Sequence, residues 1–144
     1  MKVARHIAED ELIRDAGQVF KAVRGGEAIV VEGDGEPRAV IVDPFDLEIL
    51  GAALGYYLNH PPIAKEAGLT EACLADLDAT SRLERVVAHY LAEAISLSRA
   101  AELLGRPWVD LRDRFSRIGI PIRIAPTDEE GARQDVLVAL STLS

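Results

Sequence analysis

The stretch SLSRAAELLGRPWVDLRDRFSRIGIPI, residues 96–122, carries Arg99, Arg106, Arg112, Arg114 and Arg117. A guanidinium forks onto phosphate oxygens, guanine edges or carboxylates, so this density of arginine points either to nucleic acid or to neighbouring acids. Both partners are in view. Asp110 to Arg114 and Asp113 to Arg117 are acid-to-base i, i+4 pairs, each worth about 0.2–0.5 kcal/mol to a helix without any ligand. With Trp108, Leu111, Phe115 and Ile118 inward, the outward positions are Val109, Asp110, Asp113, Ser116 and Arg117, so two carboxylates face any polyanion that approaches. Periodicity leaves both readings open.

Other reactive groups point away from catalysis. His6, His60 and His89 share no metal-ligand spacing, no Ser or Cys sits in a nucleophile motif, and the Gly33-Asp34-Gly35 turn lacks the Lys and following helix of a phosphate loop. No enzyme, cofactor or metal is expected. Cys73 is the single cysteine, which excludes an internal disulfide; a buried thiol is expected. Asp76 and Asp78 read as a solvated helix end.

The net charge is −8 over 144 residues, yet residues 81–124 hold eight arginines, no lysine and five acids, a local balance of +3. Residues 1–50, 51–80 and 125–144 are all acidic. Attraction acts on the local patch as well as on the sum, so an anionic partner at the middle is compatible with the total. No run of 18 apolar residues occurs and the first thirty residues are charged rather than signal-like, so no membrane contact and a cytoplasmic location are expected.

The elements that must position these groups follow from spacing. Leu12, Ala16, Val19, Phe20 and Val23 predict one amphipathic helix over 8–24, stopped by Gly25-Gly26. Two apolar runs, Ala28 to Val31 and Ala39 to Val42, flank the Gly-Asp-Gly turn and predict a hairpin covered on one face by the helix and on the other by a second subunit. Asp43-Pro44 reads as a cap with proline at the first helical position, opening a helix with Phe45, Leu47, Leu50, Leu54 and Leu58 inward. Residues 59–80 read as a hinge plus a short helix.

Ser81 to Glu84 fits a capping box for a helix that packs Leu83, Val86, Val87, Tyr90, Leu91 and Ala94. A helix after Ser98, a turn at Gly105 and a helix from Pro107 to Gly119 have the sequence form of a helix-turn-helix. Ile120, Ile122 and Ile124 alternate as a short strand, and Asp128-Glu129-Glu130 open a last helix with an apolar stripe. The expected fold class is α+β. A helix-hairpin-helix dimerisation module spans 1–58, and a mostly helical helix-turn-helix module with a short strand spans 81–144.

Arg14 and Phe20, Gly26-Glu27, Val30-Val31, Gly35, Pro37, and Ala39-Val40-Ile41-Val42 before Pro44 resemble, in order and spacing, the Phd/YefM antitoxin family over roughly residues 1–50. The resemblance implies a dimeric, DNA-binding module of strand, helix, hairpin and helix, and leaves Arg5 and Arg14 available for phosphate. The chain departs from the family at Glu32-Gly33-Asp34, where a basic residue is usual. ISLSRAAELLG, Gly119-Ile120-Pro121 and the acidic helix that follows are similar to short, uncharacterised helix-turn-helix proteins encoded beside PIN-domain ribonucleases, over about residues 81–142.

Together the resemblances imply an antitoxin of a two-component toxin module: a homodimer that binds operator DNA and occludes a cognate toxin, a PIN-domain ribonuclease. The DNA-contact candidates are Arg5, Arg14, Arg99, Arg106, Arg112, Arg114 and Arg117. A guanidinium inserted into the toxin's carboxylate cluster would neutralise it, which nominates Arg123 and Arg133, with Val136, Leu137 and Leu140 as a docking stripe. A stand-alone transcriptional regulator and a protein adaptor without DNA binding are the alternatives.

Overall fold

A computed structural model of the chain describes residues 4–64 and 68–123. Among these residues it is a mixed α/β fold of seven helices and one three-stranded sheet. The order is β1 (Arg5–Ala8), α1 (Glu9–Arg14), α2 (Ala16–Arg24), β2 (Ile29–Gly33), β3 (Glu36–Ile41), α3 (Pro44–Asn59), α4 (Glu71–Leu74), α5 (Ala79–Leu91), α6 (Leu97–Leu104) and α7 (Trp108–Ile118).

In the sheet β2 is central, parallel to β1 and antiparallel to β3, with Ile7 beside Val31, His6 beside Val30, and Val30 opposite Val40. The hairpin turns at Asp34 and Gly35, both at positive φ, the backbone that matches the right-handed twist of two antiparallel strands. Because side chains alternate along a strand, Ile7, Ile29 and Val31 share one face, where Val19 and Val23 of α2 close a small core over them. The opposite face, with Val30 and Val40, is left open, and Val40 is 60% exposed.

The single helix expected over 8–24 is two, broken at Asp15, whose φ of −122° and ψ of 36° leave the helical region. The break re-aims α2, so the spacing counted from Leu12 no longer holds: Val19 and Val23 face the sheet and Phe20, expected inward, is 50% exposed.

Asp43 caps α3 as its sequence predicts, accepting from the backbone N–H of Phe45 at 2.9 Å and Asp46 at 3.2 Å, with Pro44 at the first helical position. The buried face differs from the expected one. Ile49, Ala52 and Ala53 are inside, whereas Leu47, Leu54 and Leu58 are exposed, Leu58 by 79%. The helix is apolar on nearly every side, so its sequence does not select a face, and the two alanines allow close approach to α5. Although α3 was expected to belong with the hairpin, it packs into the larger core with α5, α6 and α7.

That core is centred on Val86, Val87 and Tyr90 of α5, Leu97 and Leu103 of α6, and Leu111 and Phe115 of α7. Asp78, not Ser81, caps α5: its carboxylate accepts from the Ser81 N–H at 2.7 Å, which also holds its pKa below the usual carboxylate value. Ser96, not Ser98, caps α6. Gly105 adopts the left-handed conformation, φ 64°, between α6 and α7.

Residues 120–123 are not part of a strand. Ile120 is buried, its N–H donates to Phe115 O, and the buried Tyr90 hydroxyl donates to Pro121 O at 2.8 Å, so a side chain rather than a neighbouring strand satisfies this backbone. Ile124 and the last expected helix lie outside the described residues. Cys73, expected to be buried, is exposed, because the four-residue α4 buries only Leu74. No described helix is long and apolar enough to cross a membrane.

Candidate nucleic-acid interface

Most of the arginines in the basic segment are anchored within the chain. Arg114 points from α7 to the N-terminus of α3, where one guanidinium nitrogen donates to Asp43 at 2.7 Å and Asp46 at 2.9 Å while Nε donates to Asp110 at 3.1 Å. Only 14% of its side chain is exposed. Burial alone would lower the Arg114 pKa, but hydrogen bonds to Asp43, Asp110 and Asp46 outweigh it and raise the value. Burial likewise acts to raise Asp43, and is outweighed by the Arg114 guanidinium and by the backbone N–H groups of Asp46 and Phe45, so its carboxyl stays ionised to lower pH than usual.

One turn on, Arg117 donates to Asp46 at 3.1 Å, and its aliphatic stem lies across Gly26 so closely that a Cβ there would meet Arg117 Cδ at 2.9 Å. The Arg106 guanidinium stacks 3.8 Å from the centre of the Phe45 ring, close enough for a cation–π contact. The Asp110–Arg114 pair expected from spacing forms, whereas Asp113 pairs with Arg112 at 3.1 Å and leaves Arg117 to Asp46. Arg114 and Arg117, expected on phosphate, are therefore committed to carboxylates of α3. The ion pairs cross 68 and 71 positions of sequence, beyond anything helical periodicity reports.

Arg99 and Arg123 serve backbone. Arg99 donates to Leu69 O at 3.2 Å and pairs with Glu102, and Arg123 donates to Ile95 O at 3.1 Å while lying 4.0 Å from the centre of the Tyr90 ring. Arg82, on the segment's first helix, donates to both Leu74 O and Leu103 O. These contacts satisfy the carbonyls of Leu74 and Leu103 in the last turns of α4 and α6, which lack intrahelical partners, and those of Leu69 and Ile95 in the connections that precede the same two helices. They also place Arg123, nominated for toxin contact, against its own core. Arg133, Val136, Leu137 and Leu140 lie outside the described residues.

Three candidates keep an outward aspect. Arg112 extends from α7 beside the exposed Val109 and Ser116, with Trp108 beneath it at 5.2 Å. Arg14 ends α1 with 71% of its side chain exposed, and Arg5 lies on β1 at 3.7 Å from Glu27. His6 is bonded to Glu32 across the first two strands, His89 to Arg85 O, and His60 ends α3 in the left-handed region. Among the described residues no three His, Cys, Asp or Glu converge as a metal site.

A cleft of about 470 Å³ separates the open sheet face from the helices. Val30, Val40 and Val42 form one wall, and Leu47, Leu50 and Ile118 the other, with Arg117 and Gly26 at its edge. Neither the arginine-to-α3 contacts nor this cleft had a signal in the sequence beyond the cap at Asp43. No protein-family model matches the chain, and neither a curated protein nor a solved structure similar to it was found.

Proposed function

We propose that the protein is a DNA-binding antitoxin of a two-component module, a homodimer that binds its own operator and neutralises a cognate ribonuclease of the PIN type. The observation that carries this reading is the succession of strand, helix, hairpin and capped helix with an open apolar sheet face at Val30 and Val40, followed by two helices joined through a left-handed Gly105. That face fits a second copy of the sheet, and the α6–α7 pair fits a helix-turn-helix whose Arg112, Val109 and Ser116 face outward. Arg5 and Arg14 supply phosphate contacts from the sheet side.

The test is a gel shift on the protein's own promoter together with co-expression beside the neighbouring gene. The reading requires a salt-sensitive shift and suppression of the neighbour's ribonuclease activity. A ribonuclease left fully active by the copurified protein defeats the antitoxin assignment. A second reading, an adaptor that contacts only proteins, is favoured by the internal engagement of Arg99, Arg114, Arg117 and Arg123 and by the exposed Leu54, Tyr57 and Leu58 on α3. A promoter shift absent even at low salt selects it.

A further inference from the structure

Leu47, Leu54, Tyr57 and Leu58 of α3 are each more than half exposed, while Ile49, Ala52 and Ala53 on the other side of the helix enter the core. Leu47, Gly51, Leu54 and Leu58 follow one another at helical spacings of four, three and four, so they form a single seam along the exposed side. Gly51 is a gap in that seam: no described residue lies within 4 Å of where its Cβ would stand. A glycine in a helix interior weakens the helix relative to alanine, and the packing of the described chain does not require this one. From Leu47 and Leu50 the apolar surface continues across the 470 Å³ cleft to Val30, Val40 and Val42 on the open sheet face.

The spacing selects an occupant. A seam spaced four, three, four reads the same from either end, so a second α3 laid antiparallel about a twofold axis meets it position for position. Leu54 then fills the gap at the partner's Gly51, and Leu47 lies against the partner's Leu58. Beside the seam, Leu50 meets the partner's Tyr57 at the cleft. Charge selects the same direction. The N-terminal half of α3 carries Asp46 and Glu48 and the C-terminal half no charge, so an antiparallel pair holds these carboxylates at opposite ends, where a parallel pair sets them side by side.

We infer that a second copy of this chain covers α3 in this antiparallel register, with the partner's Tyr57 and Leu58 closing the cleft, so that α3 and the open sheet face belong to one continuous twofold interface. The inference rests on the homodimer of the reading above and assigns the helix that joins it.

The experiment uses the full chain with Cys73→Ser, since the native thiol is exposed. One version carries Leu47→Cys and another Leu58→Cys, both at exposed positions, and a short bis-maleimide joins thiols that face one another. The two versions co-expressed give at least fivefold more covalent dimer than either gives alone. Leu47→Cys alone crosslinking as readily as the mixture means a parallel or shifted pair and overturns the inference. So does the absence of crosslinks in every combination, whether the chain is a monomer or its own C-terminal segment takes this face. Gly51→Leu supplies the second arm. It adds apolar surface and a better helix former, so an unspecific patch would hold the dimer as well or better, whereas the fit of Leu54 at Gly51 requires the dimer dissociation constant in sedimentation to rise at least tenfold. An unchanged or tighter dimer overturns the inference, and if circular dichroism shows that this variant has unfolded, the crosslinks decide. A dimer that passes but shifts no promoter DNA keeps its interface and loses only the antitoxin reading. A dimer that dissociates in Val40→Glu yet gives no mixed crosslink keeps the homodimer and loses the α3 seam.

Discussion

Arg114 touches three carboxylates from two helices, and this geometry makes a prediction for each partner. In Asp46→Asn one amide oxygen still accepts, but the charge is lost and the other oxygen becomes an N–H donor set against a guanidinium in a part-buried site, so stability falls by about 2 kcal/mol in urea unfolding, in line with hydrogen bonds to charged groups. Asp43 combines a cap with an ion pair, and two substitutions separate the roles. Asp43→Ser keeps the cap and loses the charge, whereas Asp43→Ala loses both and is the less stable of the two by about 1 kcal/mol. The pH dependence follows from the lowered Asp43 value. A carboxylate held below its unfolded pKa of about 3.9 contributes its full stabilisation above that pH and loses it as the pH falls through the lower folded value. Urea midpoints followed from pH 5 down to pH 2.5 fall for the native sequence, and Asp43→Ser removes that part of the fall.

At the scale of elements, the turn between α6 and α7 depends on one residue. Gly105 sits at φ 64°, where a Cβ costs about 1–2 kcal/mol, so Gly105→Ala lowers the free energy of unfolding in urea by that amount with no change in helix content. Gly26 is more demanding, since its φ of 101° is joined by the Arg117 stem over the missing Cβ. Gly26→Ala therefore costs more than Gly105→Ala in the same assay, and the excess shrinks in an Arg117→Ala background, as expected of two side chains that share one space. The ends of α5 and α6 show why terminal residues were misplaced by reading alone. Ser81 and Ser98 have capping chemistry, but Asp78 and Ser96 also do, and each lies earlier and accepts the N–H three residues on.

For the whole molecule, the open sheet face is the feature with the largest consequence. Val40 contributes a β-branched side chain to a surface shared with Val30, and a second copy that covers this face buries both. Val40→Glu on that reading converts a dimer to a monomer in sedimentation analysis and leaves helix content unchanged. A protein that sediments as a monomer before any substitution defeats the homodimer. The arginines likewise divide by their place in the fold: Arg112→Ala reduces the salt slope of any promoter binding by about one unit, as for a single phosphate contact, whereas Arg99→Ala acts on stability through Leu69 O.

Local chemistry determined the local features. The cap at Asp43, the tight turn at Asp34-Gly35, the stops at Gly25-Gly26 and Gly119 and the inward face of α7 are each written in a few adjacent residues, because backbone preference and helical spacing act over one or two turns. Only the tertiary structure decided where α3 turns its apolar surface, that α2 begins anew after Asp15, that Cys73 stays outside, and which acids take Arg114 and Arg117. A helix apolar all round has no preferred side until a neighbour arrives, and a guanidinium finds its carboxylate in space, across some seventy residues that no periodicity connects.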